Sequence, residues 1–275
     1  MEKIIRVYRL INILSLDVAA GAMVSASFFA HLFGTTVLPQ GFISLGITVW
    51  IIYTADHLQD AKKLNHDAST ERHRFHQQNY NLLLLLLFIA VLVDAAQIYF
   101  IRTIVFYAGL WLSLLVGIYF LVQRRLGFLK ELFGTLLYTG GVLLIPFSMR
   151  THVAVPVIFI VGQFAVTALI NLLLFSWIDR SRDERDKHQS FATAFGSKTT
   201  RLILISLFVG NAILTVLQFV FSPDMAFATS ILVLMNSILL LIFVKKDYFE
   251  KEDRYRLLGD AIFMLPLLYI LFSSL

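Results

Sequence analysis

Residues 170–201 read INLLLFSWIDRSRDERDKHQSFATAFGSKTTR, an apolar run that passes directly into a stripe of acids, Asp179, Asp183 and Asp186. If the helix of the apolar run continues, spacings of four and three residues place these carboxylates on one face. Like charges at such spacings repel one another and weaken a helix. A divalent cation would remove that repulsion, and oxygen-only ligands suit a hard ion such as Mg²⁺. The stretch therefore predicts a metal site at the end of a membrane helix.

The composition is that of an integral membrane protein. Of the 275 residues, 58% are hydrophobic and 15% are charged, and the mean hydropathy is +0.78. A soluble domain is about half apolar and about a quarter charged. The chain contains no cysteine, which excludes disulfides, thiolate metal sites and a cysteine nucleophile.

Nine apolar runs are long enough for membrane spans, because a helix needs ~20 mostly apolar residues to cross a bilayer. The runs are continuous and lack the ~10-residue alternating segments of a barrel, so we predict an all-α polytopic protein. The first run is too long for a signal peptide and has no small-residue cleavage site after a short core. The predicted spans cover residues 10–33, 38–55, 80–100, 103–122, 131–149, 152–178, 202–222, 225–244 and 257–274.

The basic residues orient the chain in the membrane. With the N-terminus inside, every lysine and arginine lies on the inner side except Arg102 and Arg150. The positive-inside rule then predicts a cytoplasmic N-terminus and a C-terminus on the opposite side. The net charge of +5 therefore reflects orientation and gives no indication of nucleic-acid binding.

A second acidic pair, Asp56 and Asp60, follows an apolar run four predicted spans before the 170–201 stretch. Asp56, Asp60 and Lys63 share one helical face. Taken alone, this pair suits a solvated helix end with a local salt bridge, and the later acids could be neutralised by neighbouring arginines without metal. Carboxylates at a membrane edge are costly to keep unpaired. Because both pairs lie at cytoplasmic ends of predicted spans, we favour a shared Mg²⁺ site that holds a diphosphate.

The later motif resembles that of the UbiA superfamily of intramembrane prenyltransferases. Members of that family have nine transmembrane helices, with an NDxxDxxxD motif after helix two and a DxxxD motif after helix six. Asp179 and Asp183 match the second motif, Ser190 stands where the family usually has Thr, and Ala192 and Gly196 follow in the usual register.

The earlier motif matches the family only in part. Asp56 and Asp60 match its last two acids, whereas Tyr53 stands in place of the first Asp. Downstream, Thr70-x-x-x-Arg74 is similar to the family's T-x-x-R-P, with Phe75 in place of Pro, and Lys130 resembles its basic residue at the entry to span five. The resemblance covers the whole predicted topology, and its specific motifs cover about forty residues.

The resemblance implies an enzyme that moves an isoprenoid chain from a prenyl diphosphate to a lipophilic aromatic or quinone-type acceptor. It implies one UbiA-like domain over residues 1–275, with nine helices around a central cavity, in a bacterial inner membrane. The spacing of the acid pairs suggests a pseudo-repeat of helices 1–4 and 5–8 plus helix 9. Metals and bases suit this chemistry, since charge builds on the departing diphosphate. The expected metal-binding residues are Asp56, Asp60, Asp179, Asp183 and Asp186, the first four also catalytic; the expected substrate-binding residues are Lys63, Arg74, Lys130 and Asn171, the last as a contact for the acceptor.

Two other functions remain open. A UbiA-like protein without catalysis would bind prenyl lipids or a partner protein, and Tyr53 in place of an acid favours it. A transporter would predict discontinuous helices around a site in the middle of the membrane, whereas the charged residues here lie at its edge.

Several polar residues have ambiguous roles in the sequence alone. Asp17, in the first span, could be functional or structural, whereas we expect a structural role for Asp94. The histidines have no consistent zinc spacing and are interpreted as loop residues near lipid headgroups, namely His66, His73 and His76. The segment Lys245–Arg256 is interpreted as a charged inner loop that contacts headgroups.

Overall fold

The structure is a computed structural model that describes residues 2–63, 68–150 and 153–273. Within those ranges every regular element is a helix, which confirms the predicted all-α class. Short 3₁₀ turns join several of the α-helices. The α-helices are α1 (Glu2–Ile13), α2 (Leu16–Leu32), α3 (Pro39–Lys63), α4 (Glu71–Gln78), α5 (Tyr80–Gln97), α6 (Thr103–Leu126), α7 (Lys130–Ser148), α8 (Val155–Asp186), α9 (Phe191–Phe221), α10 (Ala226–Val244), α11 (Lys246–Phe249), α12 (Arg254–Ala261) and α13 (Pro266–Phe272).

The helices have the length and composition of membrane spans. In the described part of the chain, eight candidate spans are present, and a ninth results if α1 and α2, bent by 77° at their junction, are counted as one. Apolar side chains also cover the outside of the bundle, as at Leu85, Phe88 and Trp111, which are exposed. Helices that are apolar on every face belong in lipid. The chain is therefore a polytopic integral membrane protein.

The core of the bundle is built around α2 and α8. Helix α8 contacts α7, α9, α10 and α12, and α2 contacts α3, α7, α12 and α13. Small buried residues such as Ala22 and Ala26 let neighbouring helices approach α2 closely. Larger rings fill the remaining space, since Phe29 and Phe164 meet edge to face with centroids 5.2 Å apart. This packing fixes α8, which carries Asp179 and Asp183 of the candidate site.

Helices α3 and α8 extend beyond the predicted spans 38–55 and 152–178. Helix α8 continues through its acidic end because arginines compensate the charge, as where Arg180 bonds Glu184 one turn away at 2.8 Å. It ends where Lys187 takes a left-handed conformation with φ 55°, and the amide of Lys187 bonds back to Asp183 and Glu184. All the acids of interest therefore lie on regular helices, as their spacing requires.

Two other predicted spans are not the single straight helices that the sequence predicted. The seventh begins at Phe191 instead of residue 202, and it kinks at Gly196, where φ is 82°. A positive φ of this size is natural for glycine alone. The ninth is broken into α12, a 3₁₀ turn and α13. Hydropathy did not detect the first turns of α9 and α12, because both contain polar residues.

Polar side chains within the bundle bond between helices. Asp94 accepts hydrogen bonds from the hydroxyls of Ser44 at 2.6 Å and Thr48 at 2.7 Å, both on α3. This agrees with the structural role expected for Asp94. Gln163 on α8 likewise donates to Thr215 on α9 at 3.2 Å. Such bonds satisfy polar groups that lipid could not.

Candidate active site

A polar cavity of about 200 Å³ lies where the C-terminal ends of α3 and α8 meet the N-terminal ends of α7 and α12. Its lining includes Asp56 and Asp60 from α3 and Asp179 and Asp183 from α8. The structure thus brings together the four carboxylates that the sequence assigned to one site. We call this space the polar cavity.

Fixed cations line the polar cavity beside the acids. Lys130 is the first residue of α7, Arg72 comes from α4 and Arg256 from α12. Asp60 and Asp183 each lie in the last turn of a helix, where the helix dipole adds negative potential. Carboxylates in such a position are stabilised by cations, and fixed cations in turn favour anionic ligands. The cavity is therefore suited to an anion that is bound together with a metal ion.

Asp179 accepts hydrogen bonds through both of its oxygens. The hydroxyl of Tyr255 donates to Oδ1 at 2.5 Å, and Nη2 of Arg256 donates to Oδ2 at 2.5 Å. Nη1 of Arg182 also donates to Oδ1, at 3.2 Å, and to the carboxylate of Asp253. One alternative from the sequence, neutralisation by a neighbouring arginine, thus applies to Asp179 through Arg182. The second arginine, from α12, was not expected.

Asp60 lies beside a pair of histidines. Its Oδ2 is 3.7 Å from Nδ1 of His188, and the ring of His188 stacks on that of His73 with centroids 5.6 Å apart. Burial lowers the pKa of His73 to about 3, although the Asp60 carboxylate acts in the opposite direction. His73 is therefore neutral at pH 7.

The headgroup interpretation of the α4 histidines is wrong, because the fold turns them inward. His73 lines the polar cavity, His76 is buried, and burial lowers the pKa of His76 as well. His66 lies outside the described residues. Among the residues that the structure describes, no three His, Cys, Asp or Glu side chains are placed to hold a metal ion by themselves.

The arginine of α4 that lines the polar cavity is Arg72, whereas the expected Arg74 does not line it. Helical periodicity turns Arg72 inward to the polar cavity, whereas Arg74 is exposed and donates to the carbonyl of Ala68 at 3.2 Å. The other predicted base from this region, Lys63, has a side chain that lies outside the described residues. Of the predicted bases, Lys130 alone is seen to line the cavity.

Asp186 also lies away from the polar cavity lining. Its carboxylate accepts hydrogen bonds from the backbone amide of Ser69 at 3.1 Å and from the hydroxyl of the same residue at 2.6 Å. These contacts tie the end of α8 to the segment that precedes α4. Asp186 lies seven residues after Asp179 and therefore on the same face of α8. It is about one helical turn past the cavity.

Unpartnered polar atoms line the polar cavity beside the acids. In the described part of the chain, Oδ1 of Asn171, the hydroxyl of Tyr138 and Oε2 of Glu131 are buried without a protein hydrogen-bond partner. A Cβ atom at Gly259 would lie 2.6 Å from Oδ1 of Asn171, so glycine is needed for this close approach. Buried polar atoms of this kind are satisfied by water or by a ligand.

Asp17 belongs to a buried network next to the polar cavity. Nδ2 of Asn12 donates to Asp17 at 2.6 Å and to Asp260 at 2.9 Å. Nη2 of Arg72 donates to Oδ1 of Asn12 at 2.9 Å and to Asp260 at 3.2 Å. The network joins α1, α2, α4 and α12, so the structure gives Asp17 a structural role.

Removal of the arginine from this network should destabilise the protein. In Arg72→Leu, Asp17 and Asp260 would lose their shared buried cation, and breaking a buried ion pair typically costs about 3–5 kcal/mol. The free energy of unfolding in mixed detergent–SDS micelles measures the effect. Arg74→Leu, an exposed position on the same short helix, is the control and should change the stability little. Equal stability of the two variants would show that the network is not stabilising.

A larger apolar chamber adjoins the polar cavity. It has a volume of about 730 Å³ and lies between α3, α5, α6 and α7, within the roughly 300–1,000 Å³ of small-molecule pockets. Tyr53, Asp56, Lys130, Glu131 and Tyr138 line both spaces. The polar cavity thus continues directly into an apolar one, and Tyr53 stands at their junction. We call the second space the apolar chamber.

Arg256 is the main site residue that the sequence interpretation missed. It was assigned to a loop near lipid headgroups, whereas the structure places it on α12 beside Asp179. One signal was available: Arg256 and Asp260 are one helical turn apart at the start of the last apolar run. A base and an acid at that spacing indicate a helix end that begins before the apolar residues.

The fold matches those of solved structures. No model of a known protein family matches the sequence, and no curated protein does. A UbiA homologue from Archaeoglobus fulgidus bound to DMAPP and Mg²⁺ aligns with TM-score 0.64 and 13% identity, over 95% of this chain and 99% of the other. A UbiA homologue from the same organism, bound to GPP and Mg²⁺, aligns with TM-score 0.65 and 14% identity, over 94% and 98%. The apo structure of a UbiA homologue from Aeropyrum pernix K1 aligns with TM-score 0.65 and 15% identity, over 96% of this chain and 98% of the other.

Proposed function

We propose that this chain, which has the fold of the UbiA homologues, is an intramembrane prenyltransferase. It moves an isoprenoid chain from a prenyl diphosphate to a lipophilic aromatic or quinone-type acceptor. The observation that carries this proposal is the junction of the polar cavity with the apolar chamber, where Asp56 and Lys130 line both. A charged head group and an apolar tail that are joined in one molecule fit two such spaces.

The donor set of the polar cavity fits Mg²⁺ bound together with a diphosphate. Mg²⁺ usually takes one or two protein carboxylates and completes its shell with phosphate oxygens and water. Asp56, Asp60 and Asp183 supply carboxylates of this kind at the cavity wall. Two of the structural neighbours were solved with a prenyl diphosphate and Mg²⁺, which supports the same pairing here. When bound, Mg²⁺ would offset the negative charge that builds on the leaving diphosphate.

The side chains of the site suit the remaining demands of the reaction. Breaking the allylic C–O bond leaves its electron pair on the diphosphate, where Lys130 neutralises the developing charge. The allylic cation is stabilised by aromatic faces, and Tyr53, Tyr138 and Phe263 line the polar cavity. Asn171 offers its unpartnered Oδ1 to a hydroxyl of the acceptor. Ring electrons of the acceptor then form the new C–C bond to the allylic cation, and the proton that this carbon loses passes to the released diphosphate.

The acid-lined end of the bundle faces the cytoplasm in this proposal. Its support is the distribution of lysine and arginine, which places the N-terminus inside by the positive-inside rule. A soluble prenyl diphosphate head group would reach the polar cavity from that side, while its tail lies among apolar helices. The membrane lipids that surround α5 and α6 offer a route for lipophilic acceptors.

A second candidate is a UbiA-like protein that binds prenyl lipids or a partner without catalysis. The specific observation in its favour is Tyr53, whose ring lines both the polar cavity and the apolar chamber at the position where the resemblance expects an acid. Loss of that acid leaves one carboxylate fewer for a metal.

The two functions are separated by one experiment. Purified protein is incubated with geranyl, farnesyl and geranylgeranyl diphosphate, with Mg²⁺ or with EDTA, and binding and pyrophosphate release are measured in the presence of a membrane lipid extract. We expect Mg²⁺-dependent binding followed by pyrophosphate release. Binding without release would support the non-catalytic function, and absence of binding at any Mg²⁺ concentration would contradict the prenyltransferase.

A further inference from the structure

We infer that Asp179 holds a guanidinium instead of a metal ion, and that Arg256 thereby supplies a fixed cation to the diphosphate. The inference rests on the proposed function, since it concerns how the same head group is bound. It departs from the assignment of all four cavity carboxylates to Mg²⁺. The proposed metal ligands are then Asp56, Asp60 and Asp183, which line the same cavity.

The contacts of Asp179 leave little capacity for a metal ion. Its side chain is 4% exposed, and its carboxylate accepts three hydrogen bonds, from Tyr255, Arg182 and Arg256. A carboxylate has about four lone-pair sites, and three are used. A metal ion on this group would also lie next to two guanidinium cations, which would repel it. Charge and geometry therefore both oppose metal binding at Asp179.

Arg256 is held in a fixed orientation at the wall of the polar cavity. Its Nε donates to the hydroxyl of Tyr255 at 3.0 Å, and its Nη2 donates to Asp179. The guanidinium also lies over the ring of Phe175, 5.4 Å from the centroid. Asp179 and Tyr255 are themselves bonded to each other, which closes the arrangement.

A held guanidinium suits phosphate oxygens. The group has five N–H donors in one plane, of which Asp179 and Tyr255 engage two. The side chain is 19% exposed and lines the polar cavity, so the plane is accessible to a ligand there. Arginine binds phosphate more specifically than lysine, because its donors match two oxygens at once. In this account Asp179 is a positioning residue for Arg256.

The test measures binding of geranyl S-thiolodiphosphate, a non-reacting analogue, at a series of Mn²⁺ concentrations. For the wild type we expect binding that requires Mn²⁺. For Asp183→Asn we expect the Mn²⁺ concentration at half-maximal binding to rise about tenfold or more, because a metal ligand is lost. For Asp179→Asn that concentration should change by less than about threefold, while the affinity for the analogue at saturating Mn²⁺ falls.

Arg256 variants complete the test. Arg256→Gln should lower the affinity for the analogue about tenfold or more at saturating Mn²⁺ without changing the Mn²⁺ requirement. Arg256→Lys should recover part of the lost affinity. Arg254→Gln is the matched control, since Arg254 lies two residues away, bonds Glu252 at the surface and should bind as the wild type does. Tyr255→Phe removes one hydroxyl from the arrangement and is used if a charge variant fails to fold. It should lower the affinity for the analogue and leave the Mn²⁺ requirement unchanged.

The outcomes separate this inference from the proposed function. If the wild type does not bind the analogue at any Mn²⁺ concentration, the proposed function fails. If it binds, but Asp179→Asn raises the Mn²⁺ requirement as much as Asp183→Asn, then Asp179 is a metal ligand and the inference is overturned. Unchanged analogue affinity in Arg256→Gln would overturn it as well.

Discussion

Replacement of Asp183 by asparagine is expected to lower the rate of pyrophosphate release by at least about 100-fold. Asp183 lines the polar cavity one helical turn after Asp179. Asparagine keeps the size of the side chain and removes its charge, so a metal ion bound in the cavity would lose an anionic ligand. The charge on the departing diphosphate would then be stabilised by the fixed cations alone.

The effect is measured as initial rates at saturating Mg²⁺ and prenyl diphosphate. The control is Glu184→Gln, which neutralises the adjacent acid on the same helix; Glu184 is exposed and bonds Arg180 at the surface. We expect its rate to remain within about twofold of the wild type, because an exposed ion pair contributes little. Equal rates in Asp183→Asn and the wild type would remove the metal-binding role from this acid.

Replacement of Gly109 by tryptophan is expected to shift substrate preference toward shorter prenyl diphosphates by at least about tenfold. Gly109 lies on α6 and lines the apolar chamber, and a Cβ atom built there meets nothing within 4 Å. A Cβ atom there clashes with nothing, and the large ring that extends from it would occupy part of the chamber. The space that remains would accept fewer isoprene units.

The shift is measured as the ratio of kcat/KM for geranyl diphosphate to that for geranylgeranyl diphosphate. Gly210→Trp provides the control, since a Cβ atom at Gly210 also meets nothing within 4 Å but the residue is exposed on α9 and does not line the chamber. It should leave the ratio unchanged. The same ratio in both variants would mean that the tail is bound outside the apolar chamber.

The acid pairs could be predicted from the sequence because their spacing is local. Asp56 and Asp60, like Asp179 and Asp183, are four residues apart, so a continuous helix places each pair on one face. The spans could be predicted from long apolar runs because they too are local, since a membrane helix makes all its backbone hydrogen bonds within one segment. The helix ends were less predictable, because polar residues continue α3 and α8 past the apolar runs.

Arg74 was chosen from the sequence because the segment that ends there resembles the family's T-x-x-R-P motif. The structure begins α4 at Glu71, after Thr70, whose hydroxyl accepts a hydrogen bond from the amide of His73 at 3.3 Å. Positions 72 and 74 then lie on opposite sides of the helix, and packing of α4 against α1 and α3 turns Arg72 inward. A short motif carries no information about that packing.

The contact between Arg256 and Asp179 could not be predicted from local spacing. The two residues are 77 positions apart, on α12 and α8. Their meeting depends on how the last helices pack against α8, which includes the close approach of Gly259 to Asn171. Tertiary packing of this kind leaves no periodic signal in the sequence.

The most direct measurement is an experimental structure of the protein with Mn²⁺ and geranyl S-thiolodiphosphate, in which anomalous scattering locates the metal. We expect the diphosphate in the polar cavity, with Mn²⁺ bound by its oxygens and by one or two of the carboxylates of Asp56, Asp60 and Asp183, and the geranyl tail in the apolar chamber beside Tyr53. Head-group density outside the polar cavity, or Mn²⁺ remote from both acid pairs, would contradict the proposed function.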